Sequence, residues 1–205
     1  MVLYAATSNP GKLREFASSA NAQNIEVLAL PRLKEIPAPV EDAPTFMGNA
    51  ELKARAYSLT LPGALVFADD SGLSVDVLDG RPGVRSARFA DDGRYEIGQG
   101  SKDDRNNSRL LTLMPDNGPR TAHFICALAL ARDGQILLRA EGRVSGELLF
   151  RPRGTGGFGY DPLFLIPALN LTFAELPPEQ KWQLSHRGRA FRALLAQLPS
   201  LNLSS

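Results

Sequence analysis

The chain has 205 residues, 43% of them hydrophobic, with 23 basic side chains against 22 acidic ones. That length suits one domain or a two-lobed one, and the apolar share suits a packed core. Near-balanced charge argues against a broad nucleic-acid or membrane surface, and no apolar run approaches the roughly 18 residues that a membrane helix needs.

Cys126 is the single cysteine, so no internal disulfide is expected and a reducing compartment fits; its apolar setting predicts a buried, inert thiol. Met1 to Thr7 lacks a basic lead and a cleavage pattern, which predicts no signal peptide and a cytoplasmic protein.

Val2 to Ala6 reads as a first strand, followed by Thr7-Ser8-Asn9-Pro10-Gly11-Lys12 and then Leu13, Phe16, Ala17 and Ala20 at helical spacing. Asn9 is placed to cap this helix and Pro10 to open it. Lys12 then falls in the first turn, where the helix dipole is already positive. A bound anion would remove that conflict; the alternative is a solvated lysine. The segment is not a P-loop, because Ala6 and Leu13 stand where Gly and Ser or Thr would be needed.

Ile25 to Leu30 reads as a second strand, and Pro31 to Pro44 as an irregular, proline-rich loop carrying Glu41 and Asp42. Thr45 caps a second helix with Phe46, Ala50, Ala54 and Tyr57 as its inner stripe. Lys53 falls inside that stripe, one turn beyond Asn49, so it either snorkels to water or reaches an anion at the edge of the core.

Ala64 to Ala68 is an apolar run that stops at Asp69-Asp70-Ser71-Gly72. This reads either as a polar turn after a strand or as a carboxylate pair at a strand end, which would suit a hard cation. Leu73 to Leu78 reads as a further strand, Asp79 to Gly83 as a turn, and Asp91 to Gly100 as a mobile surface loop. Lys102 to Met114 reads as a helix with Leu110, Leu111 and Met114 inward.

Thr121 to Ala131 is a long strand, with His123 as a sheet or core residue. Asp133-Gly134 suits a two-residue hairpin turn into Ile136 to Ala140, and Val144 to Phe150 is one more strand. An αβ-alternating first third and a β-rich middle predict an α/β protein with a mixed sheet and flanking helices.

Gly154 to Gly159 matches G-x-G-x-x-G, but a strand rather than a helix follows, so the dinucleotide reading is set aside. The segment reads as a glycine-freed loop, with Phe158 or Tyr160 to stack on a flat ring and Asp161 as a fixed acceptor, or as a tight turn with core aromatics. Ser185 stands before an amphipathic C-terminal helix with Ala190, Phe191, Leu194, Leu195 and Leu198 inward. His186, Arg187 and Arg189 crowd its positive end, a second helix start that suggests a ligand rich in negative charge. The tail from Leu201 to Ser205 reads as frayed.

Phosphate-type donors, acids for a divalent metal and an aromatic with a fixed acceptor together describe a metal-dependent nucleoside triphosphate site, with water as the attacking group. Five ordered blocks carry a resemblance across almost the whole chain: Thr7 to Lys12; Thr45-Phe46 with Asn49-Ala50 and Lys53-Ala54; Ala68 to Leu73; Gly156 to Pro162; and Ser185 to Gly188. In these the chain resembles the inosine triphosphatase (Ham1-like) family, the non-standard purine nucleoside triphosphate pyrophosphatases.

The resemblance implies hydrolysis of ITP, dITP and XTP to the monophosphate and pyrophosphate with Mg2+, so that deaminated purines are kept out of the nucleotide pool. It implies a cytoplasmic homodimer whose single domain, residues 1–205, is a long mixed sheet in two lobes with a cleft between them. No nucleic acid or membrane is implied as a partner.

Carried over by position, Thr7, Ser8, Asn9, Pro10, Gly11, Lys12 and Lys53 would hold the triphosphate. Asp70 would be the proton acceptor and a metal ligand with Asp69 beside it, and Ser71 would touch substrate. Phe158 would stack on the base. Gly159, Tyr160, Asp161, Lys181, His186 and Arg187 would frame the purine, with Arg187 and His186 as donors to its C6 carbonyl. The family often has an acid where this chain has Gly48, and commonly two acids where it has Val40-Glu41-Asp42, so the second metal ligand is assigned to Glu41, with Asp42 next. The other reading is a nucleotide-binding regulator without catalysis, against which the intact Asp69, Asp70, Lys12 and Lys53 stand.

Overall fold

Apolar alternation begins with strand β1, Val2–Ala5, whose Leu3 and Ala5 are fully buried. The protein's structure, a computed structural model, describes residues 1–20, 25–93 and 100–201. The expected surface loop over 91–100 therefore lies largely outside the described residues, as does the expected frayed tail beyond Leu201.

Helix α1, Pro10–Ala20, starts where expected, with Asn9 Oδ1 accepting from Gly11 N at 2.8 Å and Lys12 N at 3.2 Å. Strand β2, Glu26–Ala29, lies parallel to β1 with Tyr4 opposite Leu28. Helix α2, Phe46–Ser58, is capped by Thr45 Oγ1, which accepts from Gly48 N. Ala50, Ala54 and Tyr57 are its buried stripe, joined by Asn49.

Strand β3 departs from the expectation. It is one ten-residue strand, Val66–Val75, running straight through Asp69, Asp70, Ser71 and Gly72 before it ends in a 3-10 turn at Asp76–Leu78. The local turn signal is overridden by packing. A Cβ on Gly72 would stand 2.3 Å from Ser86 Oγ and 2.8 Å from Gly83 O, so glycine is there for close approach to a neighbouring segment. Ser86 Oγ fixes that approach by accepting from Leu73 N at 2.9 Å and donating to Gly83 O at 2.6 Å.

A 3-10 turn at Gly83–Arg88 and the short helix α3, Phe89–Asp92, follow. Helix α4, Lys102–Leu113, opens on a capping box between Ser101 and Asp104. Its buried face holds Leu110, as expected, and also Asn106 and Asn107.

Strand β4, Thr121–Arg132, turns at Asp133-Gly134, both at positive φ (50° and 77°), into β5, Gln135–Leu148. The two strands expected over this stretch are one, because Gly142 does not break it. A Cβ there would meet His186 O at 2.1 Å, so the strand continues under a closely packed helix backbone. His123 is a buried sheet residue, with Nδ1 3.0 Å from Ser145 Oγ and Nε2 3.0 Å from Asp76 Oδ1. Strands β6, Phe164–Ile166, and β7, Leu171–Thr172, precede helices α5, Pro178–Leu184, and α6, His186–Gln197.

Among the described residues the strands form one seven-stranded mixed sheet, in the order β2-β1-β3-β4-β5-β6-β7. β1 is parallel to β2 and β3, and β6 is antiparallel to β5 and β7. The chain divides into two compact units, the first made of Met1–Asp70, Cys126–Gly142 and His186–Ser205, the second of Ser71–Ile125 and Arg143–Ser185.

In the first unit, Ala50, Ala54, Ala68, Ala127 and Ala129 let helix and sheet approach closely, and Phe16, Phe67 and Phe191 pack with ring centroids 5.0–5.6 Å apart. The core of the second unit is larger-grained, with Leu73, Leu110, Leu148, Leu163 and the ring trio Phe124, Phe164 and Phe173. Tyr160 belongs to this core: it is buried and its hydroxyl donates to Ser86 O at 2.9 Å.

Candidate active site

Strand periodicity sets the first group of functional side chains. Val66 and Ala68 of β3 pack with Ala50 and Ala54 of α2, while Phe67 packs with Phe16 of α1 and Phe191 of α6. Successive side chains point to opposite faces. Asp69 therefore turns to the α1 and α6 side and Asp70 to the α2 side. The two acids are not a shared carboxylate pair at a strand end, which corrects that expectation. Each has its own lysine.

Asp69 Oδ2 accepts from Lys12 Nζ at 2.6 Å. Asp70 Oδ1 accepts from Lys53 Nζ at 3.1 Å, and Asp70 Oδ2 from Asn49 Nδ2 at 3.2 Å. Lys53 Nζ also donates to Glu41 Oε2 at 3.1 Å. Asn49 further ties the acid loop to the strand, since its Oδ1 accepts from Ala43 N at 3.0 Å. Gly48 makes room for this loop, because a Cβ there would stand 2.7 Å from Ala43 Cβ. The exposed neighbour Asp42 lies outside these contacts.

These partners separate the two carboxyls. Burial alone would raise Asp69; the charges of Lys12, Arg187 and Lys53 outweigh it and hold the group at about 2. Burial also raises Asp70, and there the opposing pull of Lys53 and Asn49 is too weak to cancel it, so its carboxyl sits above the usual range. For Lys53 burial lowers the ammonium, but Asp70, Asp69 and Glu41 outweigh it and raise it. One acid is a fixed anion. The other is drawn toward its neutral form by burial.

Lys12 thus resolves its conflict with the helix dipole through a side chain of its own chain. Two first-turn N–H groups also donate to Asn9 Oδ1, and Asn9 N donates to Thr7 Oγ1 at 3.3 Å. Ser8 and Pro10 are exposed and Gly11 half-buried. Lys53 does not snorkel to water; it turns to acids. At the head of α6, His186 and Arg187 are buried, and Arg187 Nη1 donates to Glu15 Oε2 of α1 at 2.6 Å. Burial would lower the Arg187 guanidinium, but Glu15 and Asp69 outweigh it and keep it charged.

The second group sits on the glycine loop. Asp161 Oδ2 accepts from Phe158 N at 2.8 Å and from Lys181 Nζ at 2.7 Å. Lys181 Nζ also stands 4.8 Å from the centre of the Phe158 ring. Gly159 N donates to Asp103 Oδ2 at 2.6 Å, and Gly159 O accepts from Asn107 Nδ2 at 2.9 Å. Phe158 is half-buried, whereas Asp161 and Lys181 are buried. Of the two rings, Phe158 is half-buried on the loop, while Tyr160 is buried and its hydroxyl donates to Ser86 O. Ser71, half-buried, begins the second unit directly after Asp70.

Asn49, Glu15, Asp103 and Asn107 were not among the expected site residues. Asn49 had a signal, one turn before Lys53 on the same face. Asp103 and Asn107 share a helix face at i and i+4, but nothing local tells which loop that face meets.

The donor set near Asp70 fits a hard divalent cation. Two carboxylates, Asp70 and Glu41, converge on one ammonium, and the ligands are all oxygen. Among the described residues no group of three or more His, Cys, Asp or Glu side chains is assembled. Mg2+ commonly takes one or two carboxylates and completes its shell with water and substrate phosphates.

The fold and these charges define a class: a mixed-sheet α/β protein that sets lysines against acids beside a helix start, the equipment for a polyphosphate ligand. The comparison with known proteins makes it specific. The model of the Ham1 family matches residues 3–197, and the chain belongs to that family. It is 53% identical over 200 residues to the dITP/XTP pyrophosphatase of Acidobacterium capsulatum, covering 97% of this chain and 98% of the relative. It is 44% identical to the dITP/XTP pyrophosphatase of Thermosynechococcus vestitus, covering 96% and 95%. The solved Ham1 protein of Staphylococcus aureus superposes with a TM-score of 0.82 at 35% identity, covering 98% of this chain and 100% of that one.

Proposed function

We propose that the protein hydrolyses non-standard purine nucleoside triphosphates, dITP, ITP and XTP, to the monophosphate and pyrophosphate. The observation that carries this reading is the contrast between two adjacent acids, Asp69 held ionised by Lys12 and Asp70 raised by burial beside Lys53 and Glu41. Near-full-length likeness to dITP/XTP pyrophosphatases supports the substrate class.

In this mechanism Lys12 and Lys53, with the Thr7 to Gly11 segment, take the negative charge of the triphosphate. Asp70 accepts a proton from the attacking water, whose oxygen bonds to the α-phosphorus while the bond to the bridging oxygen breaks and pyrophosphate leaves. A carboxyl whose proton affinity is raised by burial is, once ionised, a stronger base than an ordinary aspartate. Asp70 and Glu41 would hold Mg2+, which supplies charge neutralisation for the phosphate oxygens. Lys53 bridges the two acids, 3.1 Å from each, and would supply positive charge beside the phosphates. Asp69 fixes Lys12 and needs no proton of its own.

Phe158 offers its ring for stacking, and His186 and Arg187 are assigned as the donors for a C6 carbonyl. Adenine presents an amino group there and would leave such donors unpaired, at about 1–3 kcal/mol for each buried group. Ser71 follows Asp70 in the chain and is assigned to substrate contact. We further infer a homodimer acting in the cytoplasm on the nucleotide pool, with neither nucleic acid nor membrane as a partner.

The test is a nucleotide panel with Mg2+, read as pyrophosphate against orthophosphate, for wild type and Asp70→Asn. Pyrophosphate from dITP, lost in the variant, is expected; orthophosphate as the product overturns the reading. A dITP-over-dATP preference that survives Arg187→Ala overturns the assignment of Arg187 to C6. Sedimentation at micromolar protein tests the dimer.

A further inference from the structure

We propose that Asp103, seconded by Asn107, is a positioning residue for purine recognition: helix α4 holds both backbone polar groups of Gly159, its N–H and its carbonyl, and so sets the Phe158 ring that receives the base. The inference rests on the reading of Phe158 as the base platform.

The observations lie within the second unit. Gly159 N donates to Asp103 Oδ2 at 2.6 Å, a short bond of the charge-assisted kind. The carbonyl of the same residue accepts from Asn107 Nδ2 at 2.9 Å. One residue earlier, Phe158 N donates to Asp161 Oδ2 at 2.8 Å. Three of the four backbone polar groups of Phe158 and Gly159 are thus taken by side chains, and the fourth, Phe158 O, accepts from Asp161 N at 3.3 Å. The loop has left-handed residues on either side of Phe158, Gly157 at φ 73° and Gly159 at φ 63°. Such a backbone has little intrinsic preference for one conformation, and the side-chain bonds supply that preference. Gly159 then serves by its conformation, with both of its backbone polar groups already engaged.

Asn107 adds a second indication. The residue is 6% exposed, and its Oδ1 has no hydrogen-bond partner among the described residues. A buried acceptor left unmet is unfavourable, and an apolar side chain would fill the place without it. The amide is kept for its one donated bond, which goes to Gly159. Asp103 has a matching specificity: the capping of α4 is done by Ser101 and Asp104, so Asp103 is not needed to start the helix. Its carboxylate is spent on the loop.

The consequence is a split between recognition and chemistry. Neither residue belongs to the unit that carries Asp70, Lys53 and Lys12. Loosening the Gly159 peptide should leave the hydrolytic step alone and weaken capture of the base.

The experiment compares wild type, Asp103→Ala, Asp103→Asn and Asn107→Leu as full-length enzyme with Mg2+, measuring KM and kcat for dITP, inhibition by inorganic tripolyphosphate, and Tm. Wild type must first release pyrophosphate from dITP; if it does not, the functional reading fails, not this one. Asp103→Ala is expected to raise KM for dITP about tenfold, with kcat within about twofold and tripolyphosphate inhibition unchanged, because that probe has no base. Asp103→Asn, which keeps an acceptor oxygen, should recover most of the loss, and Asn107→Leu should show a smaller rise in KM. An unchanged KM in Asp103→Ala overturns the proposal. So does a parallel loss of kcat, tripolyphosphate inhibition and Tm, which would mark Asp103 as a general structural residue.

Discussion

The two groups of functional side chains are held by opposite means. In the first unit, regular elements do the placing: β3 carries Asp69 and Asp70, and α1 and α2 carry Lys12 and Lys53. Charge meets charge across well-packed alanine and phenylalanine faces. In the second unit, a glycine loop carries the ring, and side chains hold its backbone. The difference teaches where rigidity is needed. The proposed proton acceptor, Asp70, sits on a strand, where packing fixes it closely. The ring proposed to stack on the base sits on a loop held by a few side-chain bonds.

The contrast is broken most strongly at Asp70. Asp70→Asn is expected to lower kcat for dITP about a thousandfold while KM changes little. Its Tm should hold or rise, because the carboxylate is raised by burial and a neutral amide avoids that penalty. Steady-state kinetics and calorimetry check both; a fall of less than about tenfold removes Asp70 as the base.

Lys12→Met tests the fixed anion. Asp69 keeps only 3% of its side-chain surface exposed, so removing the Lys12 ammonium takes the nearest cation from a buried carboxylate on which Arg187 and Lys53 still act, at about 3 kcal/mol of stability. Urea unfolding should show that loss, and Asp69→Asn in the same chain should restore part of it. Additive losses in the double variant would mean the two side chains do not act as a pair.

Acid titration separates the two carboxyls. Asp69 is lowered in the folded state to about 2, so its stabilising contribution is complete above the unfolded value near 4 and disappears as pH falls toward 2. The window is worth about 2 kcal/mol. Asp70 is raised, so its sign is opposite: keeping it ionised opposes folding, and that penalty lifts as pH falls through its folded value. With Asp70 as the proposed base, activity should fall on the acid side at a pH above the ordinary aspartate range. Asp69→Asn should flatten unfolding between about pH 4 and pH 2; an unchanged profile there contradicts the assignment.

The smallest effect is expected on the loop. Phe158→Leu should raise KM for dITP about tenfold, the worth of one base–aromatic contact, with kcat within about twofold. Equal losses in both constants would erase the distinction between the two groups.

Much of this was legible from residues. Asn9 and Thr45 signalled their helices because capping is local chemistry, and Asp133-Gly134 signalled its hairpin because few residue pairs take two positive φ values. The five motif blocks were enough to indicate the family. Two strands depart from their local signals for one reason. Asp-Asp-Ser-Gly over 69–72 and Glu-Gly-Arg over 141–143 look like breaks, and only distant partners show that they are not. Gly72 lies against Ser86 and Gly83, and Gly142 against His186. Tyr160 is buried in the core with its hydroxyl on Ser86 O, a contact 74 residues away that no local signal gives.

By itself the amino-acid sequence determined the element types, the acids, lysines and aromatic loop, and through them the chemistry. Which acid does what was decided by tertiary structure. Adjacent strand residues must face opposite ways, but which helix covers each face depends on contacts far along the chain. That packing gives Asp69 to Lys12 and Asp70 to Lys53, and it brings Asp103 to Gly159 across 56 residues.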